Sequence, residues 1–285
     1  MNTTQLDLLD ERLLWVRQQY VYTPPAPMLQ VLLDHVDEVK DLAIDRQPAS
    51  VQIRLSQMTA LLATLVADAL MKLGSLPRSR AWYDTARTAA DDSGNVELRA
   101  RVRAQAAMLP YYYGPLEGAI SLAREARLIS RARPIATGAF AAAAEARALA
   151  QRGDKEAAEA AIRYARSVFD RCEPGADNDA FAFPPRRLLL YLSGAYTAMA
   201  HTSKAREVQA EALQMYPART GIDPALLHLE AAICLAQDRS PTEACRVFEF
   251  SGGVLPVGCG AWLHSVSAGV GSLGCGSRRR YVLRA

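Results

Sequence analysis

The chain has 285 residues, 50% of them apolar, and a net charge of +3. That length and composition suit a sizeable buried core and exclude disorder as the default, and the mild charge lacks the Lys and Arg clusters of a phosphate-tracking surface. The five cysteines are widely spaced with no C-x-x-C pair, which excludes a disulfide framework or a structural zinc site.

The N-terminal stretch MNTTQLDLLDERLLW carries acids where a signal peptide would be basic, and no apolar run approaches the ~18 residues that a membrane span needs. A cytoplasmic chain with no membrane or direct nucleic-acid partner is expected. From Thr4 to Arg246, apolar residues recur at helical spacing in Ala-, Leu-, Arg- and Glu-rich segments, so the predicted fold class is all-α. The stretches TPPAP (23–27), RQPAS (46–50), DDSGN (91–95), RCEPGADNDAFAFPP (171–185) and GIDP (221–224) punctuate the helices. Helices over 27–45 and 51–58 are expected to form an extra, degenerate pair in an N-terminal segment, 1–59.

Residues 60–250 carry an internal repeat. In KLGSLPRSRAWYDTA, Gly74 is followed five residues later by Ser79, nine later by Tyr83 and twelve later by Ala86. The same offsets lead from Gly114 to Ala119, Ala123 and Ala126; from Gly153 to Ala158, Ile162 and Ala165; and from Ala200 to Ala205, Gln209 and Ala212. A last copy runs from Arg239 to Ala244 and Phe248. The anchors lie 40, 39, 47 and 39 residues apart. A glycine or small residue lets the chain turn tightly between two helices, and a small residue five later lets their backbones approach. About five stacked helix pairs are expected.

This order of Gly, Ala, aromatic and Ala resembles tetratricopeptide repeats. ADALMKLGSLPRSRAWYDTARTAADDSGN, YYYGPLEGAISLAREA and the leading LLDERLLWVRQQYVYTPPAPMLQVLLDHV are more specifically similar to the C-terminal sensor halves of actinobacterial Xre-type transcriptional regulators. The resemblance implies a right-handed superhelix of antiparallel helix pairs, a TPR-like solenoid, with a concave binding groove. The family's DNA-binding domain is not expected, since nothing before Asp7 has room for it.

Within MLPYYYGPLEGA, Gly114 is the expected turn, Pro115 the helix start and Ala119 the close-packing position, while Pro110 is expected to kink the preceding helix. After Phe250 the segment 251–285 has no Asp, Glu or Lys and eight of the seventeen glycines. It is expected to end the array as a poorly ordered or frame-shifted tail.

Residues two, three, six, nine and ten before each anchor share one stripe of the first helix of each pair. The candidate groove residues on this stripe, which reaches one turn further back at Arg101, Phe140, Arg187 and Leu226, thirteen before their anchors, are Thr64, Leu65, Asp68, Met71 and Lys72; Arg101, Gln105, Met108, Tyr111 and Tyr112; Phe140, Arg147 and Gln151; Arg187 and Tyr191; Leu226 and Glu230. Tyr113 is expected at the interhelix turn. Rings supply apolar contact and Arg can grip a carboxylate with two hydrogen bonds, which suits a peptide or a flat amphipathic metabolite.

His35, His201, His228 and His264 stand in separate segments, and the match at Gly269, Gly271 and Gly274 lacks the strand, helix and acid of a dinucleotide site. No metal, cofactor or enzymatic activity is expected. The leading expectation is a regulatory or adaptor protein that binds a peptide, a protein partner or a small signal molecule, in transcriptional or specialised-metabolism regulation, with a homodimer plausible. The alternatives are a binding component or enzyme of a specialised-metabolite pathway and a nonfunctional remnant of a full regulator.

Overall fold

The computed structural model describes residues 3–173, 178–216, 222–240, 242–244 and 246–247. Regular structure among them is helical throughout: α1 (Thr3–Gln19), α2 (Pro25–Ile44), α3 (Ala49–Lys72), α4 (Leu76–Asp92), α5 (Val96–Ala106), α6 (Met108–Tyr113), α7 (Leu116–Ile129), α8 (Ala136–Arg152), α9 (Lys155–Phe169), α10 (Pro185–Ala198), α11 (Thr202–Gln214) and α12 (Ile222–Gln237). The all-α class expected from composition is the class observed. The tail 251–285 and Phe248 lie outside the described residues.

The chain divides into two compact units. The first comprises the described residues of Met1–Glu145 and Arg163–Pro184, the second those of Ala146–Ile162 and Pro185–Ala285. In the first unit, Leu6, Leu9, Leu13 and Val16 form a single stripe on α1 that packs with Met28 and Leu32 of α2 and Leu55, Leu62 and Leu70 of α3. The expected boundary at 59/60 falls inside α3, because the run from Val51 to Met71 contains no Gly or Pro to break it.

By length and composition α3 could cross a bilayer. This corrects the expectation that no run approaches that length. The helix is apolar nearly all round because α1, α2, α4 and α5 each pack on it.

The repeat register has a direct backbone counterpart. Gly74 (φ 77°), Gly153 (φ 94°), Ala200 (φ 60°) and Arg239 (φ 62°) all adopt left-handed conformations. At each, the anchor N–H donates to the carbonyl three residues back, as in Gly74 to Met71 and Gly153 to Ala150. The next N–H donates to the carbonyl five residues before it: Ser75 to Leu70, Asp154 to Leu149, His201 to Tyr196 and Ser240 to Leu235. That hydrogen-bond pair ends a helix and reverses the chain in one step. Gly114 differs, with φ −147°, because the proline after it drives the residue into extended backbone.

The small residues five after the anchors are all sealed: Ser79, Ala158, Ala205 and Ala244 are 0% exposed and Ala119 is 1%. The Ser79 hydroxyl donates to the Ala67 carbonyl at 2.7 Å, so α4 meets α3 almost backbone to backbone. Ala86, Ala126, Ala165 and Ala212, twelve after their anchors, are also buried. In MLPYYYGPLEGA the helix breaks at Ala107, between α5 and α6. Pro110 lacks an N–H and its ring crowds the carbonyl four residues back, so the break precedes the proline by one turn.

Candidate functional site

In the first unit, α1 lies on the stripe of α3 that carries the first group of predicted groove residues. Thr64, Leu65 and Met71 are buried there. Asp68 and Lys72 are half-buried; the Tyr20 hydroxyl donates to Asp68, Lys72 pairs with Asp68 at 2.7 Å, and the Lys72 ammonium sits 4.7 Å from the Tyr20 ring centre.

Between Ala100 and Leu109 only Arg101 and Gln105 reach the surface. Met108 and Tyr111 are buried; Tyr112 is half-buried, its ring edge-on to Tyr111 at 4.9 Å. Arg101 and Gln105 lie one turn apart on α5, and Tyr112 follows on α6 beyond the break at Ala107.

Arg101 faces a cleft of about 470 Å³ lined by Arg17, Glu97, Ile135, Thr137, Asp179 and Phe181, among others. One Arg101 nitrogen donates to Glu97 at 2.5 Å, and the guanidinium stands 5.6 Å over the Phe181 ring. Its Nε is buried and finds no hydrogen-bond partner among the described residues. Burial pushes the Arg101 pKa down; Arg17 adds to the fall and Glu97 opposes it.

Sequence reasoning passed over the residues that complete this cleft. Arg17, at the end of α1, holds the Asp179 carboxylate with two nitrogens and lies 5.5 Å from the Phe181 ring. Asp179 and Phe181 come from a stretch read only as punctuation. Phe140, a predicted groove residue, is buried against Phe183 of the same stretch, with ring centres 5.3 Å apart.

In the second unit, Arg147, Tyr191 and Glu230 converge. Arg147 donates to Glu230 at 2.8 Å, with side-chain exposures of 2% and 1%, and stands 5.5 Å from the Tyr191 ring centre. Ser193 donates to the other Glu230 oxygen at 2.5 Å, and Gln209 donates to Ser193 at 3.0 Å. Burial raises the Glu230 pKa against the pull of Arg147 and the Ser193 hydrogen bond. This network is closed to solvent, so these three residues hold the unit's interior together and line no open surface. Leu226 is buried beside them in α12, Gln151 is exposed at the end of α8, and Arg187 is half-buried on α10.

Two signals in the sequence pointed to this network. Gln209 stands at the offset that holds Tyr83, Ala123 and Ile162 in other copies, and Gly194 lies in mid-helix. A Cβ at Gly194 would fall 2.3 Å from Arg147 Nε, so glycine is what admits the guanidinium.

No family model matches the chain. No curated protein matches it either. The solved structure of BtubC (BKLC) from P. vanneervenii is similar in fold, with a TM-score of 0.53 at 16% identity over 92% of this chain and 98% of that one. At that identity the likeness concerns the fold alone.

Proposed function

We infer that the chain is a regulatory or adaptor protein: a TPR-like right-handed superhelix whose concave face binds a peptide segment of a protein partner. The repeated left-handed turns and the sealed small residue five positions after each anchor support the repeat register. The fold similarity to BtubC over most of both chains is compatible with such an array. The resemblance to the sensor halves of Xre-type regulators supports a place in transcriptional or specialised-metabolism regulation.

The observation that carries the binding reading is the cleft at Arg101. A guanidinium whose buried Nε has no partner among the described residues, a ring beneath it and an open cleft beside it suit a ligand that brings a carboxylate and an aromatic side chain. Selection of phage-displayed random peptides on the immobilised full chain tests it. The expected result is one enriched sequence family whose capture falls in Arg101→Ala and Tyr112→Ala but persists in Asp84→Ala, which alters a separate cleft among α2, α3 and α4. No enriched family, or equal capture by all variants, would refute the reading.

A further inference from the structure

A helix that lies on a soluble core normally turns a polar face to water, and α1 does not. Leu6, Leu9, Leu13 and Val16 are buried on one side, while Leu8 is 49% and Trp15 53% exposed on another, with Leu14 at 47% on its flank. Leu8 and Trp15 stand seven residues apart and so share one stripe of the helix, and Glu11 and Arg12 fill the turn between them. Both charged residues are exposed. Arg12 pairs with Glu38 at 2.7 Å and keeps 55% of its side chain in solvent; Glu11 makes no ion pair or hydrogen bond among the described residues.

We propose that this face of α1 binds the same face of a second copy of the chain, the two helices running antiparallel across a twofold axis between Glu11 and Arg12. The order Leu-x-x-Glu-Arg-x-x-Trp selects that occupant. Reversed about the point between Glu11 and Arg12, Leu8 of one copy meets Trp15 of the other, Glu11 meets Arg12 and Gln5 meets Gln18, and the symmetry makes each contact twice. Apolar thus falls on apolar and acid on base, whereas a parallel pair would set Glu11 on Glu11 and Arg12 on Arg12. The 17 residues of α1 span about 26 Å, so one helix from each copy gives an interface at the small end of the specific range, a reversible dimer with Trp15 as its anchor. Arg17, the α1 residue of the cleft, projects from a different side of the helix than Trp15, which leaves the cleft open in the dimer and makes this inference independent of the groove reading.

The test is sedimentation velocity of the full chain between about 1 and 500 micromolar, the range in which a small interface dissociates. The unaltered chain is expected to pass from monomer to dimer, and Trp15→Glu to raise the dissociation constant at least about tenfold. Glu11→Arg and Arg12→Glu, each of which sets like charges against each other in the homodimer, should each weaken association to a similar degree. An equimolar mixture of those two variants restores opposite charges across the axis and is expected to associate within about threefold of the unaltered chain. That rescue separates the proposed register from loss of folding, since neither variant regains stability by mixing alone. A chain that stays monomeric throughout gives the face to a different partner and overturns the proposal. So does a dimer unchanged in Trp15→Glu, or a mixture that associates no better than its components.

Discussion

Arg147 on α8 and Glu230 on α12 form an ion pair at 2.8 Å with almost no exposure to solvent. Two charges out of water cost several kcal/mol each in desolvation, and the pair persists because Ser193 holds the second carboxylate oxygen and Gly194 leaves room for the guanidinium. Glu230→Ala leaves Arg147 charged and buried, and is expected to destabilise the second unit by about 3–5 kcal/mol. The double change Arg147→Met/Glu230→Leu should recover most of that loss. Urea midpoints of the variants measure the difference, and equal losses in single and double variants would contradict it.

Gly194→Ala should also destabilise, by less than breaking the pair, since its methyl group would collide with Arg147 Nε at 2.3 Å. A loss of about 1–3 kcal/mol is expected from the forced shift. A melting temperature unchanged from the parent would show that the network can move aside at no cost.

The turn register predicts opposite signs for two exchanges between the same residue types. Ala200 and Gly153 share a left-handed conformation, which costs a non-glycine residue about 1–2 kcal/mol. Ala200→Gly should therefore stabilise and Gly153→Ala destabilise, each by about 1 kcal/mol. Thermal unfolding of both variants reports the signs, and two changes of the same sign would refute the shared turn.

Ala119 and Ala158 hold the close-packing position of their copies at 1% and 0% exposure. Replacing either by Leu overpacks the approach of two helices and should cost about 1–3 kcal/mol. Leu at Glu117, an exposed position on α7, is the control that should cost little.

Asp91 at the end of α4 receives Arg103 at 2.9 Å and Arg99 at 2.8 Å. The Arg103 hydrogen bond chiefly holds its carboxyl below the ordinary value, and Arg99 adds to the effect. A depressed carboxyl pKa contributes stability that is present above about pH 4 and is lost as pH falls through the folded-state value. The carboxylate is 41% exposed, so the contribution is small and screened by salt. Asp91→Asn should lie slightly below the parent in stability at neutral pH, and the gap should close in acid. A gap that keeps its size at low pH would contradict the assignment.

The helices and the turns between them were legible in the sequence because the turns recur. Gly74, Gly153, Ala200 and Arg239 were identifiable from a fixed spacing of small residues, and each occupies the same left-handed turn. The candidate site was less legible because its parts are brought together only by tertiary packing. Arg17 and Asp179 lie 162 residues apart, and neither falls on the repeat stripe. The stretch around Asp179 announces a helix break through its Pro, Gly and Asx residues, but composition does not say where a chain without helical periodicity is laid. On the stripe itself, period alone could not separate Arg101, which faces a cleft, from Arg147, which faces a carboxylate inside the protein. What separates them is Glu230, 83 residues further along the chain from Arg147.

The most direct test of the groove is the affinity of a library-selected peptide for the full chain and for Arg101→Ala, measured by calorimetry with the melting temperatures recorded alongside. A loss of affinity of about tenfold, or 1.4 kcal/mol, is expected with an unchanged melting temperature. Equal affinity in the two proteins would contradict it.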